Sequence, residues 1–197
     1  MSSADTTLYL VRHGRTSLNA AGVLRGRLDP PLDETGRAEA QRLGIMFATI
    51  GVVAVITSPL GRAQETAAAI SAAAATTVAV DDGLVDRDYG PWAGTAGGEV
   101  VRRFGSVDAA PGVEAPEPFA ARVIAAVIRA ADLWAPGPVA VVAHDAVNRV
   151  ALAALVPDLG DADAIPQRTG CWNRVERRNG LWSAPIVDAV PDDDRRP

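Results

Sequence analysis

Thr7-Leu8-Tyr9-Leu10-Val11-Arg12-His13-Gly14-Arg15-Thr16 is the stretch on which the fold turns. Its first half is a short apolar run of strand length without polar alternation, the pattern of a strand buried on both faces. The run stops in a guanidinium, an imidazole and a glycine. A histidine just past a buried strand, on a glycine-flanked turn, is held on a rigid element with little competing freedom.

Outward from this stretch, strands and helices alternate. Asp33 caps a helix running to about Ala48, with Ala40, Leu43 and Phe47 on one face. Val52 to Thr57 reads as a second buried strand, stopped by Ser58-Pro59, and the alanine-rich segment from Gly61 to about Ala75 as helix. Thr76 to Val80 is a third strand, bounded by Asp81-Asp82-Gly83. Leu84 to Gly98, rich in glycine and proline, reads as a structured loop. Pro116 to Trp134 is a helix with Phe119, Val123 and Val127 along one stripe. Val139 to Ala143 is a fourth strand with His144 at its exit, and Ala146 to Val156 returns as helix. Cys171 to Val175 and Leu181 to Ser183 suggest an edge hairpin around Asn179-Gly180. This alternation predicts an α/β fold, a three-layer sandwich with a mostly parallel central sheet flanked by helices. No repeat or linker divides residues 1–190, which read as a single catalytic domain, and 191–197 read as a flexible polar tail.

Composition narrows the chemistry. With 48% hydrophobic and 22% charged residues in 197, the chain can build a full core and is not a disordered segment. A single cysteine, Cys171, permits neither an intrachain disulfide nor a thiolate cluster. Two histidines alone cannot make a three-histidine metal site. Lysine is absent, so all 19 basic residues are arginines, which removes Schiff-base chemistry and the lysine-dependent phosphate loop. A net charge of -5 argues against broad nucleic-acid binding while leaving room for a local cationic pocket. The polar start, Met1 to Thr7, lacks a basic-then-apolar leader, so a cytoplasmic, non-membrane protein is the expectation. Anion chemistry must run on arginine, histidine and backbone amides.

In parallel sheets, ligands bind beyond the carboxyl ends of the strands. Three predicted strand exits carry chemistry-bearing residues: Arg12 and His13 after the first, Arg62 just after the second, His144 after the fourth. Both histidines of the chain thus fall on one edge of the sheet.

Arg12-His13-Gly14-Arg15-Thr16 with Asn19 resembles the signature of the histidine phosphatase superfamily, the phosphoglycerate mutase-like proteins. Gly26, Asp29, Leu32 and Gly36 fall where that family has its G-x-x-D-x-x-L-x-x-x-G stretch. Ser58-Pro-Leu-Gly-Arg62-Ala-Gln-Glu-Thr66 matches its S-x-L-x-R-A-x-x-T segment. Leu84-x-Asp86-x-x-x-Gly90-x-Trp92-x-Gly94 resembles its acid-bearing loop, and Val142-Ala143-His144 its second histidine. The blocks follow the family's order over about residues 7–156.

The resemblance implies a phosphoglycerate mutase-like fold and a metal-independent phosphomonoesterase acting on a small phosphorylated metabolite. His13 would form a phosphohistidine, Arg12, Arg62 and His144 would hold the phosphoryl oxygens, and Asp86 would serve as general acid and base. Elementary chemistry agrees: a neutral imidazole can attack phosphorus in line, and most catalysis of phosphoryl transfer is positioning and electrostatics. Asn19, Arg15, Arg25, Gly26, Arg87 and Tyr89 complete the expected substrate contacts. No cofactor or metal is called for, nor a nucleic-acid or membrane partner, and a homodimer is compatible with the sequence without being read from it.

Some positions depart from the family's pattern. Its acid is usually glutamate, whereas Asp86 is one methylene shorter, so either the loop sits closer to the phosphate or the substrate has a better leaving group. Asp88 is the substitute acid if Asp86 points away. Arg15 and Arg25 add cations near the pocket mouth. If at least two of Arg15, Arg25 and Arg87 reach the pocket, the favoured substrate should carry a second anionic group. The spacing of Asp86 to Gly90 also resembles the mutases, which makes a phosphoglycerate mutase-type transferase the alternative. Only Ser106 to Glu117 separates this loop from the next helix, however, too short for the mutases' substrate-enclosing insertion. A catalytically weak domain that binds phosphorylated ligands is the remaining alternative.

Overall fold

The computed structural model describes residues 4–191, so the expected polar tail lies, from residue 192 onward, outside the described residues. In chain order the elements are β1 (Thr6–Arg12), α1 (Ser17–Ala20), α2 (Glu34–Ile50), β2 (Ala54–Thr57), α3 (Gly61–Ala74), β3 (Thr77–Val80), α4 (Gly97–Phe104), α5 (Pro116–Trp134), β4 (Pro138–Ala143), α6 (Asp145–Leu155), β5 (Trp172–Arg178) and β6 (Leu181–Ala189). They form one six-stranded sheet in the order β3-β2-β4-β1-β5-β6. The first four strands pair in parallel, and β5 and β6 add an antiparallel hairpin beside β1.

β1 shows why the sandwich has three layers. Leu8 and Leu10 pack with Phe119, Val123 and Val127 of α5 and Val147 and Leu152 of α6. Tyr9 and Val11 point the other way, onto Leu43 and Phe47 of α2 and Ala67 and Ile70 of α3. A strand alternates its side chains between faces, so an uninterrupted apolar run needs cover on both sides. Each fully buried Leu or Phe contributes roughly 1.5–3 kcal/mol relative to exposure.

Local signals set the helix ends. Asp33 caps α2 by accepting the Gly36 amide at 2.8 Å, and Gly51 ends it in the left-handed region at φ 73°. That turn breaks the uncharged run of residues 43–61 into helix and strand. Among the described residues, no helix is long and apolar enough to cross a membrane. A single 3₁₀ turn, Asp82–Leu84, leads into the expected loop, a second, Gly90–Trp92, lies inside it, and α4 begins before the loop's expected end. Gly97-Gly98 at its start lowers helix propensity and hid it from the sequence reading. Burial of Val100 and an Arg102-Arg103 pair at its C-terminal end hold it in place.

The fold places three strand ends side by side. The His13 amide donates to Ala143 O at 3.0 Å, and the Ser58 amide to Val142 O at 3.0 Å. The turn after β1 lies directly on the start of α2, where a Cβ on Gly14 would come within 2.3 Å of Gly36 O and one on Gly36 within 2.0 Å of Arg15 O. Only paired glycines permit that approach.

Candidate active site

His13 lies fully buried at the end of β1. Its Nδ1–H donates to Gly14 O at 2.7 Å, which leaves the Nε2 lone pair directed into the site. Arg62 Nε–H meets that nitrogen at 3.2 Å. Burial, then the charges of Arg62 and Arg12, push the His13 pKa well below its ordinary value, so the ring is neutral at pH 7.

Arg62, in the first turn of α3, is wholly buried, and every nitrogen of its guanidinium is engaged. Nη2 donates to Gly26 O at 2.9 Å and to Asp86 Oδ2 at 3.1 Å, and Nη1 to Leu28 O at 2.7 Å and Asp29 Oδ1 at 3.3 Å. Asp29 also caps α3, accepting the Gly61 amide at 2.6 Å. A buried guanidinium is tolerated only when paired and hydrogen-bonded in this way.

His144, at the exit of β4, stands with its ring 5.2 Å from that of His13. Its Nε2 meets Ser58 Oγ at 2.7 Å, and Ser58 Oγ also accepts the Leu60 amide at 3.3 Å. The His144 Nδ1 has no hydrogen-bond partner among the described residues and lies 4.0 Å from Asp86 Oδ2. Burial and then Arg62 lower the His144 pKa well below the ordinary value.

Asp86 is 2% exposed, and its Oδ1 accepts the Arg87 amide at 2.9 Å. Burial raises its carboxyl pKa against the opposing pull of Arg62 and Arg25. The short side chain reaches the cluster because its loop sits close. Gly26, at φ 50°, lets the Arg87 carbonyl approach to where a Cβ would lie 2.8 Å away. Asp88 turns outward, its carboxylate capping the Gly90 amide at 2.8 Å and pairing with Arg27 at 3.4 Å. The structure brings Asp86, not Asp88, to the histidines.

Arg12 is anchored by the Gln167 carbonyl and by Asp145 at 3.7 Å, and its buried Nε has no hydrogen-bond partner among the described residues. Arg25 likewise has a buried, unpartnered Nε, and its charge bears on Arg12, His13, Arg62, Asp86 and His144. Asn19 forms a capping box with Thr16 through Oδ1, leaving Nδ2 buried and unpartnered. Unsatisfied buried donors cost roughly 1–3 kcal/mol each, so such a set fits an anion with several acceptor oxygens.

Two expected contacts are not brought into this cluster. Arg15 turns to the start of α2, donating to Asp33 at 2.8 Å and to Thr35, with its side chain 41% exposed. The sign of that neighbouring helix cap decided its direction. Arg87 is held by the Glu114 carbonyl at 2.7 Å and Asp108 at 2.5 Å. Tyr89 lies next to Asp86, and burial and that carboxylate raise its phenol pKa.

Sequence reasoning assigned no role to Ser58, Asp145 or Gln167. Ser58 opens the segment that contains Arg62, and Asp145 directly follows His144, so adjacency was the available signal. Gln167 had none. Among the described residues, no group of three or more His, Cys, Asp and Glu side chains could hold a metal ion.

Comparison with known proteins adds to this geometry. A family model described as histidine phosphatase superfamily (branch 1) matches residues 8–187. A bifunctional protein of Mycobacterium tuberculosis is 40% identical over 99 residues, half of this chain and 27% of that protein. The matched stretch thus spans little more than a quarter of that relative. The uncharacterized phosphatase PhoE of Bacillus subtilis is 28% identical over 181 residues, 90% of this chain and 91% of that one. The solved phosphoglycerate mutase of Bacillus anthracis shares the fold, with a TM-score of 0.82 at 23% identity over 95% of this chain and 94% of that chain.

Proposed function

The chain belongs to branch 1 of the histidine phosphatase superfamily, and from that premise we propose a metal-independent phosphomonoesterase that works through a phosphohistidine on His13. The observation that carries the reading is the His13 ring itself. It is neutral, fixed by Gly14 O, and points Nε2 among Arg12, Arg25, Arg62 and His144.

In the first step Nε2 attacks phosphorus in line, the N–P bond forms and the P–O bond to the leaving alcohol breaks. Arg62 Nε–H leaves the nitrogen lone pair for a phosphoryl oxygen, joined there by Arg12, Arg25 and His144. Charge spread over these oxygens meets fixed donors in a buried setting, where electrostatic stabilisation is strongest. The Asp86 carboxyl, whose pKa burial raises, gives its proton to the departing alkoxide. In the second step the Asp86 carboxylate takes a proton from water as its oxygen attacks phosphorus, which breaks the N–P bond and releases phosphate. Hydrolysis rather than transfer is supported by the short 106–115 segment, which carries no insertion long enough to enclose a substrate and shut out water.

The test is an acid-quenched reaction with a labelled phosphomonoester. The wild-type protein should hold an acid-labile, alkali-stable phosphate, and His13→Ala none. Turnover by His13→Ala, or complete loss of wild-type turnover with a chelator, would overturn the reading.

A further inference from the structure

A cavity of about 520 Å³ is walled in part by residues that directly follow side chains of the cluster in sequence. Arg87, the next residue after Asp86, and Asp145, the next after His144, both line it, as does Tyr89. If Asp86 protonates the leaving oxygen, the body of the substrate must extend toward these residues. Its size falls within the range of about 300–1,000 Å³ typical of small-molecule sites. A three-carbon acid would occupy a small part of it.

The chemistry of the walls is specific. Leu24, Val101, Phe119 and Val150 supply apolar surface. The charged residues of the lining are Arg87 and Arg149 against Asp108, Asp145, Asp161 and Asp163. Neither guanidinium is free. Arg87 is tied to Asp108 and to the Glu114 carbonyl and lies over the Phe119 ring, and Arg149 is tied to Asp145 at 2.5 Å and to the Asp163 carbonyl. Among the described residues, the Asp163 carboxylate has no ion-pair partner. Arg25, whose Nε is unpartnered, acts on the buried cluster instead.

We infer that this cavity receives the leaving group, and that the preferred substrate is the monophosphate of a bulky, partly apolar alcohol bearing no second anion and favoured by a positive charge. The inference rests on the proposed phosphatase reading and reverses the expectation of a second anionic group. That expectation required two of Arg15, Arg25 and Arg87 at the pocket; Asp33 turns Arg15 away, and Arg87, though it lines the cavity, has its charge paired with Asp108.

The test uses arylethyl phosphonates, whose C–P bond is not hydrolysed, differing only in a para aminomethyl, hydroxymethyl or carboxylate group. Calorimetric titration of the whole chain should give the tightest binding for the amine and the weakest for the carboxylate, about tenfold apart at low salt and converging at high salt. Asp163→Asn should narrow that gap about threefold. Carboxylate binding equal to or tighter than the amine, or no gain for any of the three over methylphosphonate, would overturn the assignment. The matching phosphates and 4-nitrophenyl phosphate are then assayed for turnover. Binding in the expected order with no turnover of any ester would count against the phosphatase reading alone. Turnover with the reverse binding order would count against the cavity alone.

Discussion

Two neighbouring regions of this molecule are built on opposite terms. The histidine–arginine cluster sits at the ends of β1, β2 and β4, with His13, Arg62 and His144 fully buried. The cavity beside it is walled by helices and connecting segments, half-open, with its arginines spent on its own carboxylates. One region keeps buried donors unpaired for an anion, and the other pairs its cations away. The difference teaches that a negative net charge and an anion site coexist because arginine direction, not arginine number, sets the local field. Asp33 and Asp108 each direct one guanidinium, Asp29 and Asp86 share Arg62, and Asp145 holds both Arg12 and Arg149.

The largest effect expected is at the nucleophile. His13→Ala should lower kcat at least about 10⁴-fold on every phosphomonoester, because both steps run through Nε2. Steady-state kinetics on an aryl and an alkyl phosphate check this. A loss confined to one of them would move the chemistry out of the cluster.

Asp86→Asn comes next, and it probes the border between the two regions. General acid catalysis contributes about 10²–10⁴-fold, so alkyl phosphates should slow by that factor and 4-nitrophenyl phosphate far less. Because the wild-type acid must be protonated at the outset, kcat/KM should decline as pH rises through the raised Asp86 pKa. The neutral His13 predicts no limb near its ordinary value of 6.5. Equal losses on both substrates would separate Asp86 from the leaving group and so from the cavity.

Stability should carry the same asymmetry. In the unfolded chain both histidines bind a proton near their ordinary value of 6.5, whereas burial keeps them neutral in the fold to well below it. Below 6.5 the unfolded state therefore holds more protons, and stability falls with pH by up to about 1.4 kcal/mol per unit for each histidine. Asp86 runs the other way. Its raised pKa gives stability below the ordinary value of 3.8 that is lost as pH rises through the folded value, offsetting part of the acid loss. Urea unfolding between pH 7.5 and 5 should show the net acid loss, and His144→Gln a shallower slope.

How much of this was legible follows the same division. The strand ends could be read because a both-faces-buried run, a glycine turn and a histidine are neighbours in sequence, as at 7–14. Residues 58–66 and 142–144 carried the same local signal. The cavity could not be read, since its walls meet only through tertiary contacts such as Arg87 with Asp108 and Arg149 with the Asp163 carbonyl. α4 supplies Val101 to it, and the glycines at its start masked the helix. Gln167, which anchors Arg12 across 155 positions, has no local pattern at all.

Arg25 and Arg15 make the sharpest pair for the comparison, being two cations that the sequence placed together and the fold separates. Arg25→Ala removes a buried, unpartnered donor whose charge bears on His13, and if it meets the phosphate as proposed, charged hydrogen bonds contribute enough for KM to rise roughly tenfold on all monophosphates.

The smallest effect belongs to Arg15→Ala. Its guanidinium is part-exposed and pairs with Asp33, the cap of α2, at 2.8 Å. Exposed ion pairs contribute about 0–1 kcal/mol, and Asp33 keeps its bond to the Gly36 amide without the arginine. The variant should therefore change KM less than about twofold and lower the unfolding free energy by under about 1 kcal/mol. The reason lies in the backbone: the close packing of Gly14 and Gly36 fixes the Arg15 peptide, and the Arg15 amide itself donates to Glu39 at 2.7 Å. Losing the side chain leaves that turn, and with it His13, where it was. Kinetics of Arg15→Ala and Arg25→Ala side by side, at two salt concentrations, read the contrast directly. A KM rise in Arg15→Ala that matches Arg25→Ala and fades with salt would show that Arg15 leaves Asp33 when substrate arrives. That result would return a second cation to the pocket and weaken the division between an anion-binding cluster and an anion-refusing cavity.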